Sequence, residues 1–178
     1  MSKIPVTAFI VSCNEGHLLR NCLEKLGFCD EILVIDLTSN DDTIAVAKEF
    51  GARVLTIPPI PLVEIVHSQY MSVCSNDWVI ITDPDEVPTG ELITELVSEF
   101  DQISNRVDLA AVDVPMLFFF KSRRLRGTGW GGVKSRTYLV HRERFIFTQS
   151  VHNGRSVKEG FTKIMIAHTG KNHLEHYW

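Results

Sequence analysis

Cysteine is scarce in this 178-residue sequence: there are four, with no CxxC pair and no Cys/His cluster at zinc-like spacing. A thiolate-based structural metal site is thereby excluded, and Cys13, Cys22, Cys29 and Cys74 read as reduced thiols of a cytoplasmic protein. No apolar run approaches the roughly 20 residues that span a bilayer. The first such run, residues 6–11, has neither a basic stretch before it nor a small-residue cleavage site after it. Positive charge is also in deficit, with 18 Lys and Arg against 22 Asp and Glu for a net charge of -4. No global basic field exists for sequence-independent nucleic-acid binding, so no nucleic-acid partner is expected. Repeats, low-complexity tracts and linkers are missing as well. What remains, 44% hydrophobic and 22% charged, is the balance of one compact domain over residues 1–178.

Residues 6–11 form a short apolar run that empties into Ser12-Cys13-Asn14-Glu15, as a buried parallel strand entering a loop does. Leu18, Leu19, Cys22, Leu23 and Leu26 then fall at helical spacing, with Gly27 as a stop. The alternation repeats. A strand over 31–36 precedes a helix over 41–50, a strand over 53–57 precedes a helix over 62–74, and a strand over 77–82 precedes a helix capped by Thr89. Strands and helices alternating at this spacing predict right-handed βαβ units and a mainly parallel sheet. After about Asn105 the pattern changes: 109–120 and 137–147 are rich in β-branched and aromatic residues, separated by the Gly-rich turn 127–132. The chain therefore reads as an α/β fold with a β-rich C-terminal half.

In an open parallel sheet, ligands sit beyond the carboxyl ends of the strands. The residues leaving those ends are Asn14 and Glu15, then Asp36, then Asp83, Pro84, Asp85 and Glu86. Helix capping explains any one of them taken alone. Asp83-Pro84-Asp85 is harder to explain that way. On an extended segment, side chains two apart point the same way, so both carboxylates face one ligand while Glu86 turns elsewhere. Paired carboxylates repel unless a cation or proton intervenes, and hard oxygen ligands suit Mg²⁺ or Mn²⁺ shared with substrate phosphates.

These ordered segments, 6–15, 31–43 and 77–86, resemble the family 2 inverting glycosyltransferases of GT-A fold, and more narrowly the lipopolysaccharide-core glucosyltransferase-like branch. The likeness is strong through about Glu91 and thins to Trp130-Gly-Gly, Arg136, Val151-His152 and Ala167-His168. It implies a nucleotide-sugar donor, a UDP-sugar, and a glycan or lipid-linked acceptor in cell-envelope synthesis. It also implies that residues 1–104 hold the nucleotide and 105–178 the acceptor. Asn14, Glu15, Asp36, Ser39, Asp41 and Asp83 would bind the nucleotide, and Asp83, Asp85 and His168 the metal.

Inversion needs a base for the acceptor hydroxyl proton. Similar proteins carry Val-His-Glu where this chain has Val151-His152-Asn153, and an amide is no base at neutral pH. Glu86, His152 and Glu159 are the substitutes within the sequence. A second departure is His67-Ser68, where relatives carry Arg-Asn. Lys121, Arg123, Arg124 and Arg126 follow three phenylalanines, a pattern that suits either a solvated loop or a patch for an anionic or lipid-linked acceptor or the inner membrane face. The rival from another class is a non-catalytic nucleotide-sugar-binding or scaffold protein that has kept the fold. A nucleotidyltransferase is disfavoured because no Gly-rich triphosphate loop precedes a basic residue near the N-terminus.

Overall fold

A computed structural model describes residues 2–127, 129–148 and 155–178. Strands and helices alternate in the first part: β1 (Ile4–Ser12), α1 (Gly16–Lys25), β2 (Cys29–Asp36), α2 (Thr43–Glu49), β3 (Arg53–Thr56), α3 (Val63–Tyr70), β4 (Trp78–Thr82), β5 (Glu86–Pro88) and α4 (Gly90–Ser104). Beyond α4 come β6 (Leu109–Phe120), β7 (Arg123–Arg124), β8 (Lys134–His141), β9 (Phe145–Phe147), β10 (Arg155–Val157), β11 (Thr162–Met165) and β12 (Leu174–Tyr177). The main sheet has the order β3-β2-β1-β4-β8-β6-β12-β5, with β7 and β11 also paired to β6. β1 to β4 are mutually parallel, and β8 lies antiparallel between β4 and β6. β6 therefore runs the same way as β4, and β12 runs parallel to β6. This is the α/β architecture with a β-rich second half that the sequence pattern predicts.

The central strands are apolar at nearly every position because both faces are covered. Val6, Ala8 and Ile10 of β1 and Ile80 of β4 pack with Leu19 and Leu23 of α1 and Leu92, Leu96 and Phe100 of α4. The alternate residues Phe9, Val11, Val79 and Ile81 pack on the other side with Val66 of α3 and Phe145 of β9. α4 starts where Thr89 Oγ1 accepts from the Leu92 N–H at 3.3 Å, the expected cap. The same oxygen accepts from the His173 N–H at 3.0 Å, tying the start of β12 to that helix.

The helix expected over 62–74 is shorter: α3 ends at Tyr70 and a 3-10 turn, Met71–Val73, finishes the segment. Such tightening satisfies terminal carbonyls that lack an α-helical partner. Among the described residues, no helix is long and apolar enough to cross a membrane.

Candidate active site

Parallel pairing brings the ends of β1, β2 and β4 together, with Ser12 beside Asp36 and Ile10 beside Thr82. The loops leaving these ends surround a cleft of about 280 Å³ lined by Val11, Ser12, Cys13, Glu15, Leu37, Val63, Asp83, Pro84, Asp85 and His176. Two of its loops hold non-glycine residues at positive φ, Asn14 at 58° and Thr38 at 60°. For a β-branched threonine this conformation is costly and persists only where neighbours enforce it. The Thr38 hydroxyl donates to the Ile57 carbonyl at 2.9 Å, which supplies part of that enforcement.

Most of the acids and amides expected to bind nucleotide are spent on each other. Asp36, fully buried, accepts from the Ser39 N–H at 3.2 and 3.3 Å. Ser39 Oγ accepts from the Asn14 N–H at 2.9 Å, and Asn14 Oδ1 from the Asn40 N–H at 2.6 Å. Asp41 accepts from the N–H groups of Gly16 and Thr43. A side chain at Gly16 would collide with the Asp42 carboxylate, so only glycine permits this approach of the two helix starts. Asn14, Asp36, Ser39 and Asp41 thus shape the loops without lining the cleft. Glu15 does line it, and its carboxylate accepts from Ser12 Oγ and the Cys13 N–H, both at 3.2 Å.

Asp83 and Asp85 both face the cleft, but they do not leave β4 on an extended segment as the sequence suggested. The Glu86 N–H donates to the Asp83 carbonyl at 3.0 Å, closing a turn with Pro84 at its second position. Proline's fixed φ favours that place and overrides extension. The turn drives Glu86 inward to 2% side-chain exposure. There it accepts from Arg136 at 2.9 and 3.2 Å, from Thr82 Oγ1 at 3.2 Å and from the Asp83 N–H at 3.1 Å. Burial alone would raise its pKa, but Arg136 and these hydrogen bonds outweigh burial and hold it at about 2. A carboxylate so committed is a poor proton acceptor at neutral pH.

Arg136 also reaches Asp83 at 3.2 Å. Burial, followed by the neighbouring Glu86 charge, nevertheless pushes the Asp83 pKa upward. Asp85 has no such arginine. Burial lifts its pKa to about 6 against the opposing pull of His176. Its Oδ2 stands 3.4 Å from His176 Nε2, while Oδ1 is buried with no hydrogen-bond partner among the described residues.

His176 was not singled out by sequence, which pointed to His168. The pairing of β12 explains its place at the cleft: His176 lies opposite Glu86 on β5 and Phe118 on β6, which sets it beside the acidic turn. Its Nδ1 is 3.8 Å from Glu86 Oε1. Burial lowers its pKa, but Glu86 and Asp85 together turn the net shift upward. His168 lies on the loop between β11 and β12, its ring 5.8 Å from that of His173, and is not among the cleft residues. Nothing in the segment His173-Leu-Glu-His-Tyr-Trp178 separates one histidine from another until strand pairing is known.

Glu159 is exposed at a turn whose flanking Lys158 N–H donates to the Arg144 carbonyl at 2.9 Å, and Arg144 in turn donates to the carbonyls of Arg106 and Leu109. Leu109 begins β6, which runs parallel to β4, so Glu159 sits at the end of the sheet opposite Asp83. The five residues of β4 separate the two ends by about 16 Å, too far for Glu159 to act in the cleft. His152, with Val151 and Asn153, lies outside the described residues. His67 is buried at 2% exposure between the rings of Phe9 and Phe147, 5.1 and 5.0 Å away. Trp130 packs at 5.2 Å from Phe118 and from Trp178, whose indole N–H donates to His176 Nε2 at 2.7 Å.

The family model for glycosyl transferase family 2 matches residues 7–158. An uncharacterized glycosyltransferase of Rickettsia felis is 35% identical over 99 residues, covering 55% of this chain and 33% of its own length. The lipopolysaccharide core biosynthesis glycosyltransferase LpsC of Rhizobium meliloti is 31% identical over 111 residues, covering 57% and 40%. The chain thus spans between a third and two fifths of the length of these relatives. Among solved structures, glucosyl-3-phosphoglycerate synthase from Mycobacterium tuberculosis, in complex with Mn²⁺, UDP and glucosyl-3-phosphoglycerate, superposes with a TM-score of 0.57 at 18% identity, over 94% of this chain and 72% of that one. A likeness at that identity is one of fold, and the fold is GT-A. By the extent of the family match, the chain belongs to glycosyl transferase family 2.

Proposed function

We propose that this chain binds a nucleotide-sugar, a UDP-sugar, with a divalent cation and transfers its hexose to a glycan or lipid-linked acceptor with inversion. The observation that carries this is the convergence of Asp83, Asp85 and His176 on one cleft at the carboxyl ends of parallel strands. Asp85 Oδ1, buried and without a partner, is the atom whose state a cation would relieve. Among the described residues no three His, Cys, Asp or Glu side chains form a protein-only metal site. That suits Mg²⁺ or Mn²⁺, which take few carboxylates and complete their shell with water and phosphate oxygens.

In this reading residues 1–104 hold the donor and 105–178 the acceptor side. Asp85 would hold the cation, which offsets charge developing on the departing diphosphate, and His176 Nε2 would join it only on releasing the Trp178 indole N–H. Asp83 adds negative charge at the cleft edge, and Arg136 fixes Asp83 and Glu86 in place. The loop lock of Asn14, Asp36, Ser39 and Asp41 sets the walls between which the nucleotide lies. The acceptor proton goes to neither Glu86, which is ion-paired and buried, nor Glu159, which is remote. The solved synthase structure with Mn²⁺ and UDP supports the choice of donor and cation by its shared fold. The Rhizobium relative, named for lipopolysaccharide core biosynthesis, supports a cell-envelope acceptor.

Nucleotide-sugars are screened by thermal shift with Mn²⁺ and again with EDTA. A ligand that binds only the folded chain raises Tm, and UDP-sugars are expected to do so only with the cation. No stabilisation by any UDP-sugar would refute the donor assignment. Saturable binding without turnover, in a protein supplied with candidate acceptors, would favour the non-catalytic rival that Asn153 leaves open.

A further inference from the structure

Under the proposed reading the cleft must hold phosphate groups, yet its lining contains no lysine or arginine. Glu15, Asp83 and Asp85 make it acidic. One cation at Asp85 cannot neutralise both those acids and a diphosphate. Arg136 is already committed, giving Nε to Glu86 and Nη2 to Asp83 and Glu86.

Arg155 is differently placed. It opens β10, opposite Phe147 of β9. Phe147 packs against His67 of α3, and His67 against Phe9 of β1, with the rings tilted, which seats this strand pair on the helix whose Val63 lines the cleft. Burial, then the charge of Arg155, keeps His67 well below its usual pKa, so it is neutral and contributes no competing cation. The Arg155 side chain is 20% exposed and its Nε is buried without a hydrogen-bond partner. Its one ion pair, with Glu64, is long at 3.6 Å. A guanidinium carries five donors in a planar fork shaped for bidentate oxyanions. Here Nε has no partner among the described residues and the pair with Glu64, next to Val63 of the acidic cleft, is long, while Asp83 and Glu86 attract the group and Arg136 repels it.

We infer that Arg155 is a phosphate-binding residue of this cleft, extending its fork from β10 past Glu64 to a phosphate of the bound substrate. The inference rests on the donor reading for the identity of that phosphate, which belongs either to the donor diphosphate or to an anionic acceptor.

The experiment is calorimetry at pH 7.5 with Mn²⁺, comparing uridine with UDP, followed by inorganic phosphate titrated into the UDP-loaded protein. Arg155→Gln is expected to weaken UDP by about 10- to 100-fold, as loss of charge-assisted hydrogen bonds does, and to leave uridine unchanged. Arg155→Lys should recover part of the loss. If UDP affinity holds but inorganic phosphate no longer binds the UDP-loaded variant, the phosphate is the acceptor's and the assignment stands. If Arg155→Gln leaves both titrations unchanged, the inference is overturned. Glu64→Gln tests a purely structural role for the pair: it should leave UDP binding intact or tighter, and an equal loss in both variants would overturn the inference. A wild-type protein that ignores UDP refutes the donor reading instead, and inorganic phosphate then decides Arg155 alone.

Discussion

Asp85→Asn should make the cation-free protein more stable while abolishing cation-dependent UDP binding. Burial lifts the Asp85 carboxylate to about 6 from the ordinary 3.8. At about 1.4 kcal/mol per unit this corresponds to nearly 3 kcal/mol of native-state cost, which water entering the cleft screens to about 1–2 kcal/mol. Between pH 4 and 6 the native chain binds more protons at this site than the unfolded chain does, so stability falls as pH rises. The cost is fully present above about pH 6 and vanishes below about pH 4. Differential scanning calorimetry in EDTA at pH 7.5 should show Tm higher by about 2–8 °C in the variant, as expected for a chain of this size. At pH 4 the two proteins should melt together. Adding Mn²⁺ and UDP should then raise Tm of the wild type only. A variant no more stable than wild type at pH 7.5, or one whose advantage persists at pH 4, would refute the claim that Asp85 is held in a costly charged state.

Arg136→Met should cost about 3–5 kcal/mol in urea titrations, because Glu86 at 2% exposure would lose its countercharge. Adding Glu86→Leu should restore most of that loss, and failure to do so would mean that Arg136 stabilises by packing. Mn²⁺ affinity should fall roughly tenfold per unit below about pH 6, where Asp85 takes up its proton; a flat profile from pH 7 to 5 would remove Asp85 from the site. Of the four thiols only Cys13 is exposed, and it lines the cleft. Iodoacetamide should therefore modify Cys13 alone in the folded protein, and UDP with Mn²⁺ should slow the reaction. Mass spectrometry after timed quenching checks both.

The first half was legible because its signal is local. Each strand is apolar through its length and ends in a polar loop, and every crossover carries a helical repeat, so β1 to β4 and the cleft position followed directly. The tight turn at Asp83 was missed because an Asp-Pro-Asp triplet fits an extended segment and a turn equally well until the Asp83 carbonyl finds the Glu86 N–H. The later half depends on distant pairing. β5 and β12 are three and four residues long, too short for periodicity to declare them, and β12 is held between β5 and β6 by partners some 60 to 90 positions away. Hence His176, set against Glu86 by that register, was hidden among its neighbours, and Glu159 gave no sign that it stood at the other end of the sheet. Arg155 was hidden for the same reason, since β10 comes to α3 through tertiary contacts such as the packing of Phe147 on His67.

Three carboxylates crowd one four-residue turn, and the way their charge is disposed of divides structure from chemistry. Glu86 is buried and answered by Arg136, so it behaves as framework. Asp83 shares that arginine and remains at the edge of the cleft. Asp85 receives only a histidine at 3.4 Å and keeps one buried oxygen without a partner. A second arginine beside it would have stabilised the fold and closed the position to a cation. Arg155 is set instead against Glu64 at 3.6 Å, next to Val63 of the cleft lining, and its Nε is left without a partner among the described residues. The two deficits have opposite sign, and under the role inferred for Arg155 they meet the two parts of a metal-diphosphate complex. A single ligand carrying a cation and a phosphate relieves both, whereas either alone relieves one. Binding of Mn²⁺ and of UDP should accordingly be mutually reinforcing, each tightening the other by the same factor, and independent binding of the two would contradict this account of the cleft.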